Sequence, residues 1–107
     1  MTENFAFIKS DKKYIKINFN EIIVIKGLGN YVEIITIDNK KHIYYKTLKD
    51  LIEKLPNEFM RVHNSYIVNL VNIDSFEDNH IISKGIKISV AKSYRECLNE
   101  TINKFLL

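Results

Sequence analysis

Residues 59–70 read Phe-Met-Arg-Val-His-Asn-Ser-Tyr-Ile-Val-Asn-Leu, an apolar, strand-like frame carrying Arg61, His63, Asn64 and Ser65 with no acid among them. Such a set is rich in hydrogen-bond donors and poor in negative charge, which suits a surface that meets phosphate oxygens and base edges. Alternation of this kind also describes an ordinary strand with one wet face, so the pattern alone does not separate the two readings. If the segment is one strand, His63 points opposite to Asn64 and serves as a structural, hydrogen-bonded histidine.

Other chemistry is poorly provided for. Gly27-x-Gly29 fails as a dinucleotide fingerprint, because Val32 stands where the third glycine belongs and no βαβ unit surrounds it. His42, His63 and His80 are far apart in sequence and lack metal-ligand spacing. Ser65 and His63, two apart on a strand, would aim in parallel rather than converge as nucleophile and base. The expectation is a protein that is not an enzyme and holds neither cofactor nor metal. Cys97, the single cysteine, allows no internal disulfide and is expected as a buried, inert thiol beside Leu98, Ile102 and Phe105.

The elements that must position these residues are mostly strands. Residues 5–8 and 14–17 alternate around a polar turn and predict a hairpin. Residues 22–25 form a continuous β-branched run, as in a strand buried on both faces. Gly27-Leu28-Gly29-Asn30 is expected as a loop, followed by strands over residues 31–37 and 41–45. Thr47 can cap a helix in which Leu48, Leu51, Ile52 and Leu55 share one face, and Pro56 stops it. Further strands are predicted over residues 73–76, 80–82 and 86–90. Ser93 and Glu96 have capping-box spacing for a last helix running toward Phe105. The sum is a mainly β domain with one central helix and one C-terminal helix.

The wording of the 59–70 segment is more specific than its chemistry. Phe59, Arg61, His63, Ser65, Tyr66, Val68 and Asn69 stand in the spacing of the central signature of the LytTR family of bacterial DNA-binding domains, which this chain closely resembles. Residues 25–31, 45–48 and 88–94 fit the flanking pieces, so the resemblance runs from about Phe5 to Leu98. It implies an elongated arrangement of about ten short strands in small antiparallel sheets, whose loops rather than a recognition helix enter the DNA grooves.

Carried onto this chain, the resemblance implies base contacts from Asn30 and Tyr31, from Asn64, and from Lys92. Asn30 and Asn64 have amides that can pair with adenine, and Tyr31 can offer a hydroxyl or pack on a thymine methyl, or equally anchor its strand in the core. Where many family members read Ser-Arg, this chain has Ala91-Lys92. Lysine can reach guanine, but as a point charge rather than a planar fork. Lys46, Arg61, Ser65 and Arg95 are expected to contact phosphates; Arg61→Ala would then weaken binding to all sequences alike.

Composition bounds these readings. The 107 residues suit one domain over residues 1–107, 46% hydrophobic and 27% charged, so a packed core is expected rather than disorder. A net charge of +3 permits nucleic-acid binding without demanding it. No apolar run approaches the roughly 18 residues of a membrane span, and residues 1–7 do not read as a signal peptide. A cytoplasmic bacterial transcription regulator is the expectation. The resemblance further implies the output domain of a two-component response regulator, binding double-stranded DNA at direct repeats about two helical turns apart, as a homodimer on DNA under an N-terminal receiver domain. This chain shows no receiver, so a free-standing regulator and an output domain cut from a longer one are both open. The competing reading is a protein-interaction or ligand-sensing β domain without DNA contacts. Acids such as Glu33, Glu58 or Asp74 at the reading edge would favour it.

Overall fold

The computed structural model describes residues 4–107, so the reading of residues 1–7 as no signal peptide falls partly outside them. Short β-branched runs divided by polar turns give ten strands and two helices. These are β1 (Phe5–Ser10), β2 (Lys13–Asn18), β3 (Ile22–Leu28), β4 (Tyr31–Thr36), β5 (Lys41–Tyr44), α1 (Leu48–Ile52), β6 (Phe59–His63), β7 (Tyr66–Asn69), β8 (Ser75–Glu77), β9 (His80–Ser83), β10 (Ile86–Ser89) and α2 (Lys92–Asn103). Short 3₁₀ turns at Phe19–Glu21 and Leu70–Asn72 link the pieces. Every strand pairing is antiparallel. The strands make a β1-β2 hairpin, a β10-β9-β8 sheet and a central sheet in the order β5-β4-β3-β7-β6. The described chain is elongated, 44 × 28 × 25 Å.

The central sheet is covered on both faces, which is why β3 reads as an unbroken apolar run. On one side, Ile25, Val32, Ile34 and Ile67 pack with Ile8 and Ile17 of the β1-β2 hairpin and with Leu48 and Leu51 of α1. On the other, Val24, Val62 and Val68 pack with Ile81 and Ile88 of the small sheet and Leu98 of α2. Strict alternation would send Ile23 and Val24 to opposite faces, yet both join the second cluster. A register shift between Ile22 and Val24 accounts for it, since a β-bulge resets which side follows.

Two buried asparagines tie the strand ends together. Asn69 Nδ2 donates to the carbonyls of Phe19 and Ile22, both at 2.9 Å, and its Oδ1 accepts from the Val71 amide at 3.3 Å. Asn72 Nδ2 donates to the carbonyls of Asn20 at 2.9 Å and Ile22 at 2.7 Å. The turn into β3, which leaves carbonyls without a ladder partner, is thereby satisfied.

Several local expectations are corrected. Gly27 and Leu28 belong to β3, so the glycine loop is a two-residue turn, Gly29-Asn30, between Leu28 and Tyr31. Gly29 has φ +78 at the first central position, where a type II′ hairpin turn takes glycine. Thr47 caps α1 as expected, its Oγ1 accepting from the Asp50 amide at 3.2 Å. The helix is shorter than predicted: Lys54 and Leu55 bond three residues back, tightening the last turn ahead of Pro56. β8 begins at Ser75, because Ile73 still closes the preceding 3₁₀ turn onto Leu70. α2 begins at Lys92 with Ala91 as its N-cap, so Ser93 and Glu96 form no capping box. The Ala91 amide is held by the Val62 carbonyl at 2.8 Å, which places the helix start before Ser93. Cys97 is exposed rather than buried, because the face of α2 that meets the core runs through Tyr94, Leu98 and Ile102.

Candidate nucleic-acid interface

Strand register brings distant segments to one end of the central sheet. β3 ends and β4 begins at the Gly29-Asn30 turn. β7 begins beside β3, with Tyr66 opposite Lys26, so the turn from β6 into β7 lies at the same end. β5 ends there too, with Tyr44 opposite Val32, and hands the chain to Tyr45 and Lys46. The start of α2 is tied alongside by the bond from Ala91 to Val62. All eight residues singled out in the sequence lie on these segments.

The 59–70 segment is a hairpin and not one strand. His63 pairs with Tyr66, leaving Asn64 and Ser65 as the turn. Asn64 is exposed, and its side chain makes no hydrogen bond to another described residue. His63 is hydrogen-bonded as expected, though on the end of a hairpin strand rather than within one continuous strand: its Nδ1 accepts from the Ser65 amide at 3.0 Å. Arg61 Nε donates to the His63 carbonyl at 3.3 Å and Nη2 to the Asn64 carbonyl at 3.0 Å. The turn is thus clasped by its own flanking side chains, while the Asn64 side chain stays exposed and bonds no other described residue.

At the neighbouring tip, Asn30 is exposed and Tyr31 is half-buried, its ring 5.6 Å from that of Tyr45. Tyr45 is 78% exposed and was not singled out from sequence. The adjacent pair Tyr44-Tyr45 carries a usable signal, because alternation sends one ring toward the core and the other to solvent. Lys46 follows it, half-buried.

Lys92 is exposed and opens α2, whose first turn holds no acid and whose N-cap supplies no side-chain oxygen. A cation at the positive end of a helix is locally unfavourable, and the result is an end suited to an anion. Arg95 lies one turn on, its Nε donating to the Val90 carbonyl at 3.1 Å. The three acids that would favour the competing reading are placed differently. Glu58 lies at the opposite end of β6, its carbonyl accepting from the Leu70 amide. Asp74 is paired with Lys84 at 3.6 Å, beside the small sheet. Glu33 sits two residues along β4 from Tyr31, in register with Lys26.

Turns and a helix start, set on a rigid β scaffold, define a domain that presents polar side chains from loops at one edge. The chain belongs to the LytTr DNA-binding domain family, whose model matches residues 12–103. It is 26% identical over 99 residues to the sensory transduction protein LytT of Bacillus anthracis, a match covering 86% of this chain and 40% of that protein. The LytT protein of Bacillus cereus matches with the same figures. A LytTr DNA-binding domain from Bacillus cereus shares the fold with a TM-score of 0.77 at 18% identity, over 94% of this chain and 97% of that one. The chain therefore spans 40% of the length of the LytT proteins it matches. None of the described helices is long and apolar enough to cross a membrane.

Proposed function

We propose that this chain binds double-stranded DNA sequence-specifically and regulates bacterial transcription from the cytoplasm, acting by binding and not by catalysis. The observation that carries the reading is Asn64: exposed, without a side-chain hydrogen bond among the described residues, on a clasped turn at the same sheet end as Asn30 and Tyr31. An amide so presented suits adenine, which offers N6 and N7 side by side in the major groove. Asn30, Tyr31 and Lys92 are the further base contacts. Lys46, Ser65 and Arg95 contact phosphates and set the register of the domain on the duplex. Arg61, expected on phosphate as well, has its guanidinium on two carbonyls of the turn.

Residues 1–107 act as one DNA-binding unit that pairs with a second copy on direct repeats. The kinship with LytT sensory transduction proteins supports an output role under a receiver domain. Selection of bound fragments from a random-sequence duplex pool, with fluorescence anisotropy at two salt concentrations, tests the proposal. Enrichment of a tandem motif and affinity that falls steeply with salt are expected. Weak binding with no enriched sequence would refute sequence reading and favour a protein-interaction role.

A further inference from the structure

We infer that Arg61 is a positioning residue: with the His63 ring, its guanidinium holds the β6-β7 turn in the shape that presents Asn64 to a base edge. This rests on the DNA-reading function proposed above.

Each bond across the turn has a definite source. Arg61 takes the carbonyls of His63 and Asn64, at 3.3 and 3.0 Å. His63 Nδ1 takes the Ser65 amide at 3.0 Å, and the Ser65 carbonyl takes the Gly27 amide at 2.8 Å. Neither Asn64 nor Ser65 has positive φ, so the backbone does not use the primed turn types that ordinarily close a two-residue hairpin. A bulge between Arg61 and His63 adjusts the strand, and side chains hold what the backbone type does not. Arginine fits the task because its planar fork addresses two carbonyls in fixed geometry, whereas a lysine is a single flexible donor.

A second contact fixes where the guanidinium lies. Its central carbon stands 5.9 Å from the centre of the Tyr94 ring, in the first turn of α2 and two residues after Lys92. The Val62 carbonyl next to Arg61 holds the Ala91 amide. Arg61 therefore joins the turn bearing Asn64 to the helix start bearing Lys92. A two-bond contact to a base needs its amide oriented before binding, and ordering the turn in the free protein lowers the cost of doing so. A loosened turn would still lie against DNA but would discriminate less.

The two roles open to Arg61 differ in what they change. A phosphate contact adds about one unit to the salt slope and strengthens all sequences alike. A positioning residue changes discrimination between sequences. The test compares Arg61→Lys, Arg61→Ala and Asn64→Ala on two duplexes: the one enriched from a random pool by the unmodified chain, and a scrambled version of equal composition. Arg61→Lys keeps the charge and is expected to keep the salt slope while losing discrimination about tenfold or more. Combined with Asn64→Ala it should add little further loss, because both changes remove one contact. Without DNA, hydrogen exchange at the Ser65 amide should quicken in Arg61→Lys, a readout that stands even if Arg61→Ala does not fold.

Full discrimination by Arg61→Lys, or equal weakening on both duplexes in Arg61→Ala, would overturn the positioning role alone. No discrimination by the unmodified chain would overturn the DNA-reading function and this inference together.

Discussion

The amide of Gly27 donates to the carbonyl of Ser65 at 2.8 Å, extending the β3-β7 ladder one step past Lys26 and Tyr66. The bond joins the strand that leads into the Gly29-Asn30 turn to the turn that bears Asn64, so the two tips share one framework. Gly27 stands here for a second reason. A Cβ at this position would lie 2.9 Å from Leu48 Cδ1, so the missing side chain lets α1 seat against β3.

Gly27→Ala should cost about 1–3 kcal/mol of stability through this overpacking, read from urea unfolding. Leu48→Val in the same chain should return part of the loss. A neutral Gly27→Ala would show that Leu48 yields freely.

Asn69 is fully buried and bonds three backbone groups, so its replacement removes three hydrogen bonds and opens a cavity where no solvent reaches, although the Phe19 and Ile22 carbonyls keep the Ile22 amide and Asn72 as partners. Asn69→Ala should destabilise by about 2–4 kcal/mol in chemical denaturation. Asn69→Asp should fare no better, since a carboxylate would face the carbonyls of Phe19 and Ile22.

Asn64→Ala touches no internal bond of its own side chain and should leave the melting temperature unchanged. Discrimination between the enriched duplex and one altered at the contacted base should fall by about 1–3 kcal/mol in anisotropy titrations. Unchanged discrimination would remove Asn64 from the base contacts.

Lys92→Ala should lower the slope of log affinity against log salt by about 0.9 if the ammonium neutralises a phosphate. Lys92→Arg should hold the slope and strengthen a preference for guanine, because a guanidinium can meet O6 and N7 together. A slope that does not move in Lys92→Ala would exclude a phosphate contact, and an unchanged base preference as well would place Lys92 off the DNA.

The Thr36 hydroxyl, bonded to the Asp38 carboxylate, holds that acid below its ordinary value of 3.8, with the Lys40 charge a lesser contributor. Because the folded value is depressed, the stabilisation is present above pH 3.8 and is lost as pH falls through the lower folded value. Thr36→Val should return Asp38 toward its ordinary value in an NMR titration and soften the acid side of the stability profile. No movement of Asp38 would mean that Lys40 and the backbone hold it instead.

Much of the fold was legible because local physics wrote it. The β1-β2 hairpin follows from two alternating runs around a polar turn, and the Thr47 cap from a hydroxyl ahead of an apolar helical face. The β-branched run in β3 reads as doubly covered, and it is. The family was legible in the wording around Arg61, Ser65 and Asn69. Less legible were places where a distant partner decides. Cys97 is exposed because the phase of α2 against the second core cluster is set by packing. Ser93 does not cap α2 because the Val62 carbonyl captures Ala91 first.

The candidate site divides along the same line. By itself the sequence determined which polar residues were available, that they came in a donor-rich and acid-free run, and that most of the chain would be strand. Composition, periodicity and turn chemistry are properties of neighbours in the chain, so they are present before the chain folds. Only the tertiary structure decided that Asn64 sits on a turn with its amide unpartnered among the described residues, that Arg61 and His63 hold that turn, and that Tyr45 lies against Tyr31. Those facts depend on the register of β3 against β4 and β7, on the bulge before His63, and on where α2 docks. Each is set by contacts between residues far apart in sequence, which no local pattern encodes.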